Sequence, residues 1–174
     1  SLHPRVSHDG TALLIDQNSF WGSADGGADS HVVAVKLDGT EVGHWQTPGL
    51  HHPFTDLPDG SLAWGAATNR GDETLEILDA DGVQRTLWSC EEAVRALGAW
   101  DPGTYCGSNT LAWHEDRGTF LFSFYSLFTV FEVGLDKGDT QRWFGALDGA
   151  WSFEPAESAF WWQHGVYYTD DGTL

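Results

Sequence analysis

The feature that most constrains this chain is a turn that recurs. An Asp-Gly or Asp-x-Gly step followed by an apolar strand marks four segments: "SHDGTALLID" (7–16), "LPDGSLAWG" (57–65), "HEDRGTFLFS" (114–123) and "TDDGTL" (169–174). Their spacing is about fifty to fifty-seven residues. Such steps between apolar runs signal tight turns, because glycine takes up the positive φ they need. A second series falls between them: "VVAVKLDGTEVGHW" (32–45), "LEILDADGVQRTLW" (75–88) and "FEVGLDKGDTQRWF" (131–144). In each, a strand enters an Asp/Gly hairpin and the return strand ends in Trp or Trp-Phe. A repeat of this kind reads as four short antiparallel strands, which is the unit of a propeller blade. The expected fold class is all-β, a β-propeller segment of about three four-stranded antiparallel blades.

Composition agrees with strands rather than helices. Ten Trp and ten Phe in 174 residues, with no Met, suit aromatic packing between sheets. The length fits one domain, 1–174, with a sizeable core. One helical insert is expected near 90–98, where Ser89 and Glu92 form a capping box and Gly98 is placed to end the helix. The stretch "WSFEPAESAFWW" (151–162) reads as a long loop before the last strand. Three repeats and the opening of a fourth make an arc, so a fragment of a longer propeller is expected. Open blade edges would then be free to associate with other protein surfaces.

Charge excludes one class of partner. Against 26 acidic residues stand only 8 basic ones, a formal charge of −18, so no basic stripe exists to neutralise nucleic-acid phosphates. No apolar run approaches the roughly 18–20 residues of a membrane span. The N-terminus does not look like a signal peptide, and the missing initiator Met suggests a processed chain or an excised segment. Cys90 and Cys106 fit either a single surface disulfide or two free thiols. Asp-rich stretches such as "SADGGADS" and "DADG" lack the ligand spacing of a calcium loop and read as turns.

The histidines acquire meaning from the repeat. His52, Asn109 and His164 each stand seven residues before the aspartate of a turn, at Asp59, Asp116 and Asp171. In a propeller this register carries three adjacent blades' polar groups to one mouth of the central channel. They could satisfy buried backbone groups there, bind a ligand or perform catalysis. A metal site on His51, His52 and His164 would lack a carboxylate or cysteine recurring in register, so no metal and no cofactor is expected.

The segments "HHPFTDLPDGSLAW", "SNTLAWHEDRGTFLFSFYSLFTVFEVGLDKG" and "WQHGVYYTDDGTL" resemble three successive blade openings of the bacterial arylsulfotransferases, over about residues 30–174. The resemblance implies a six-bladed ring in an extracytoplasmic protein, periplasmic or secreted. It also implies transfer of a sulfuryl group from a phenolic sulfate ester to a phenol through a transiently sulfated histidine. By that likeness His164 in "WQHG" matches the nucleophile, His52 with neighbouring His51 matches the first family histidine, and Asn109 matches the middle asparagine. The chain departs from the pattern at three positions. Gly165 stands where an acidic residue is common, Gly107 where the family carries a histidine, and Tyr125 in the place of its arginine. Tyr125 brings a hydrogen-bond donor but no fixed charge. Arg70 and Arg142 fall out of that register and read as solvated hairpin or strand-edge residues.

Two functions follow. One is an arylsulfotransferase-like enzyme with His164, His52 and His51 as catalytic residues and Asn109 and Tyr125 holding a small phenolic or aryl sulfate ligand. The alternative is a non-catalytic propeller that binds a small ligand or a protein partner, since propellers host many unrelated functions.

Overall fold

The computed structural model describes residues 4–17, 26–67, 71–169 and 172–174. Three consecutive four-stranded antiparallel sheets account for all the described strands. The first holds β1 (Arg5–Val6), β2 (Leu13–Gln17), β3 (His31–Val35) and β4 (Glu41–Gln46); the second holds β5 (Leu50–Asp56), β6 (Leu62–Ala67), β7 (Glu73–Leu78) and β8 (Gln84–Ser89). The third is built from β9 (Ser108–His114), β10 (Thr119–Phe124), β11 (Thr129–Gly134) and β12 (Thr140–Gly145). Each sheet runs in sequence order from first strand to fourth. The architecture is all-β and β-propeller-like.

The repeat extends to a defect in the ladder. In every sheet the pairing of third and fourth strands slips by one residue, passing over Val42, Leu87 and Gln141 on the outermost strand. A bulge increases local twist and bends an edge away from further pairing. Among the described residues the Asp-Gly hairpins form as the sequence predicts: Asp38 Oδ1 accepts the Thr40 amide and Gly39 sits at φ 88°. In "DADG", Asp79 Oδ1 accepts the amides of Asp81 and Val83, which is turn chemistry rather than cation chemistry.

Alternation along each strand divides the core into two interfaces. On β6, Leu62, Trp64 and Ala66 face the first sheet, where Leu14, Val32 and Ala34 meet them, and Ala63 turns the other way. On β10, Phe120, Phe122 and Phe124 face the second sheet, and Leu121 points to the opposite side. Trp88 at the end of β8 lies 5.8, 5.7 and 5.2 Å from the rings of Phe122, Phe124 and Phe131. Its indole N–H donates to Thr140 Oγ1, so the polar edge of the ring is satisfied as well.

The helical insert is α1 (Cys90–Ala96). Ser89 Oγ accepts the Glu92 amide as the sequence predicts, and Gly98, at φ 72°, follows the helix end. Asp72 adds a feature the spacing did not suggest, accepting the Glu91 amide and the Ser89 hydroxyl. Cys90 and Cys106 form a disulfide, and both are buried rather than on the surface. Closing a loop over a separation of 16 residues stabilises the fold by about 3 kcal/mol in the chain-entropy picture. It also ties α1 to the chain entering β9.

The last stretch differs from expectation. Residues 163–168 form no strand; side chains pin them beside the third sheet instead. Gln163 Nε2 donates to the carbonyls of Phe124 and Thr129, and Val166 joins Leu121, Val130 and Phe144 in a third apolar cluster. Arg142 also departs from a solvated role: it pairs at 2.6 Å with the buried Glu132, which Arg117 and the Tyr168 hydroxyl also contact. Arg70 lies outside the described residues.

Candidate functional site

The first strands of the sheets converge. β5 and β9 run side by side, and Arg5 of β1 donates through Nη1 to the Leu111 carbonyl of β9 at 2.7 Å. The segment after Trp162 approaches β9 from the other side, with Asn109 Nδ2 donating to the Gln163 carbonyl and Thr110 Oγ1 to that of His164. A cavity of about 480 Å³ opens among them, lined by Arg5, His52, Asn109, His164, Gly165 and Tyr167, among others. The repeat register therefore brings His52, Asn109 and His164 to one space.

Arg5 is the residue that sequence reasoning missed. It stands four residues before Asp9, in the register of Ala112 before Asp116 and Tyr167 before Asp171. Both of those residues line the same cavity. Extending the repeat back into the first strand would have found it. Burial pushes the Arg5 guanidinium below its ordinary value and the Asp56 carboxylate pulls it back up, yet a guanidinium stays charged in proteins. Among the described residues no carboxylate lines the cavity. In a chain of net charge −18, the described side chains that line this space include one arginine, two histidines and an asparagine, and none of them carries a negative charge.

His164 has a defined tautomer. Its Nδ1 lies 2.7 Å from the Trp162 carbonyl oxygen, which can only accept, so Nδ1 carries the proton. The neutral ring then presents the Nε2 lone pair. His164 is exposed, and the Tyr125 ring stacks on it at 5.9 Å and 27°.

His51 and Tyr125 lie elsewhere than the cavity wall. His51 is 1% exposed, its ring 4.3 Å from that of His52 and its Nδ1 3.5 Å from Glu73 Oε1. Glu73 is itself wholly buried and accepts both the amide and the hydroxyl of Ser108. The serine hydroxyl is bound to the acid rather than to a histidine, so these three groups are not arranged as a nucleophile, base and orienting acid. They join the second and third sheets beneath the His52 wall. Asn109, expected to hold substrate, uses its Nδ2 on the backbone of the 163–168 segment. Its buried Oδ1 has no partner among the described residues.

The departures at Gly107 and Gly165 have different physical grounds. A Cβ on Gly107 would stand 2.5 Å from Ser126 Oγ, 2.7 Å from the Tyr125 ring and 2.8 Å from the Tyr105 ring. No histidine fits there without displacing two tyrosines. A Cβ on Gly165 meets nothing. Asp72, Cys90 and Cys106 come close enough together for a metal, but the disulfide occupies both sulfurs.

No protein-family model matches the chain, and no curated protein matches it. Among solved structures it is similar to a streptogramin B lyase, at 12% identity and TM-score 0.49 over 84% of this chain and 41% of that one. It is also similar to a chain of a nidogen–laminin complex, at 16% identity and TM-score 0.36 over 82% of this chain and 64% of that one. The chain spans less than two thirds of the length of either. The likeness to arylsulfotransferases is carried only by the motifs quoted above, and the three sheets themselves carry the β-propeller-like architecture.

Proposed function

We propose that the cavity binds a small aryl sulfate and that His164 accepts its sulfuryl group for transfer to a phenol. The observation that supports this most is the meeting of His52, Asn109, His164 and Arg5 around one space with no carboxylate among its described lining residues. In this reading the Nε2 lone pair of His164 attacks sulfur, and an N–S bond forms as the ester S–O bond breaks. The departing phenolate takes a proton from protonated His52. The acceptor phenol then returns a proton to His52 as its oxygen attacks sulfur, and the N–S bond breaks to restore His164. This is covalent catalysis with one acid–base partner. Arg5 supplies the positive charge that Tyr125 does not, from a different blade.

The test is sulfuryl transfer from a chromogenic phenyl sulfate to a phenol acceptor. His164→Ala is expected to abolish it, and Arg5→Gln to slow it about 10²–10³-fold, the cost of removing one donor to developing charge. Full turnover by His164→Ala would remove the assigned nucleophile.

One observation favours a non-catalytic propeller: Gly107 has no room for the second histidine of the family pattern. On that reading the cavity still holds an aryl sulfate but does not turn it over. Saturable binding without transfer across several donors and acceptors is the result expected of it.

A further inference from the structure

His164, which lines the cavity, adjoins an aromatic cluster outside the lining. Tyr125 lies against both His164 and Trp162, with centroids at 5.9 and 6.2 Å. Phe128 takes Trp161 and Trp162 edge-on, at 5.1 Å and 67° and at 4.7 Å and 85°. Trp161 is 62% exposed and Trp162 60%. Indoles so exposed and adjacent are unusual on a surface unless something covers them.

The backbone beneath them is strained. Phe128 and Trp162 are the two non-glycine residues with positive φ among the described residues, at 48° and 58°. Left-handed backbone is unfavourable for bulky side chains, and such conformations concentrate at ligand clamps. Both strained residues belong to this one cluster and touch each other. Gly107 contributes from below, since its missing Cβ leaves the space that the Tyr105 and Tyr125 rings fill.

We infer that Tyr125, Phe128, Trp161 and Trp162 form a ring-binding shelf that selects flat, fused-ring ligands over single rings. This rests on the reading of the cavity as an anion site. A ligand whose anionic group lies between Arg5 and His164 can carry its body past His164 onto Tyr125, which stacks on that histidine, and so onto the rest of the shelf. A fused bicyclic body reaches further across it than one ring does and covers more apolar surface.

The experiment measures dissociation constants by equilibrium dialysis for 2-naphthyl sulfate, phenyl sulfate, inorganic sulfate and uncharged 2-naphthol. It compares the wild type with a Trp161→Ala/Trp162→Gly double variant, the glycine being compatible with positive φ. The wild type is expected to prefer the naphthyl to the phenyl ester by about tenfold, from added aromatic contact. In the variant that ratio should fall towards one while inorganic sulfate binds unchanged. A ratio that survives in the variant overturns the shelf. If none of the sulfates binds, the anion site fails, and naphthol alone decides: saturable binding lost in the variant sustains the shelf, and no binding overturns it. A variant that changes only the oligomeric state by light scattering marks the patch as a protein interface and overturns the proposal.

Discussion

The two walls of the cavity are made differently. His52 and Asn109 stand at breaks in the β5–β6 and β9–β10 ladders, but both strands are otherwise paired along their length and backed by a core of buried aromatics between the second and third sheets. His164 stands on a segment with no ladder, held by the side chains of Gln163, Asn109 and Thr110, by Tyr168 on Glu132, and by the small cluster around Val166. The first kind of wall resists local change because its backbone hydrogen bonds and its packing fail together. The second is fixed by a few polar contacts worth about 1 kcal/mol each. A side chain placed on the second kind, as His164 is, can shift without unfolding the scaffold.

The largest effect should come from the packed side. Phe122 is fully buried and meets Trp88 and Phe124, at 5.8 and 4.4 Å between centroids. Phe122→Ala is expected to cost about 3–5 kcal/mol, the usual range for a buried phenylalanine, read from the shift in denaturant midpoint. An equal loss on removing Val166 would erase the contrast, because Val166 should unseat only the pinned segment.

A smaller and sharper test uses two glycines. Gly107 adjoins the start of β9 on the packed side, and Gly165 lies on the pinned side. Gly107→Ala inserts a methyl where Ser126 and two tyrosine rings already are, and should destabilise by about 1–3 kcal/mol. Gly165→Ala enters open space and should stay within about 0.5 kcal/mol. Comparable losses at both positions would mean that the 163–168 segment is packed as tightly as β9.

What could be read from the sequence divides along the same line. The sheets were legible because each Asp-Gly turn constrains its own few residues, and alternation then decides which face is buried. The helix was legible for the same local reason, through Ser89 and Gly98. His52, Asn109 and His164 could be grouped because a repeat converts sequence register into position around an axis. Contacts between repeats left no such trace. Arg5 reaches Leu111 across 106 residues, and Glu73, beside His51 of its own sheet, takes the Ser108 amide from the next sheet. The final strand was misjudged because its alternation is real but its hydrogen bonds go to side chains. The rings at Gly107 were hidden because a glycine in a sequence does not say what fills the space beside it.

The smallest effect is also the most direct probe of the pinned segment. Tyr168 donates at 2.9 Å to Glu132, with the Arg117 guanidinium 5.1 Å from its ring. Burial first, and then the bond to Glu132, pushes the Tyr168 hydroxyl up from its ordinary value. The folded protein therefore holds this proton more tightly than the unfolded chain does. The resulting stability is fully present below the ordinary tyrosine value of about 10 and is lost as pH rises beyond it. Tyr168→Phe removes the hydroxyl and leaves Glu132 its contacts to Arg117, Arg142 and Thr119. At neutral pH the variant should lose only about 1 kcal/mol, and above pH 10 its melting temperature should fall less steeply than the wild type's. Hydrogen exchange should meanwhile quicken in 163–169 and stay unchanged in β9 and β10. If both proteins decline alike in alkali and exchange is unaltered, Tyr168 does not hold the segment, and the wall that carries His164 is fixed by the Val166 cluster instead.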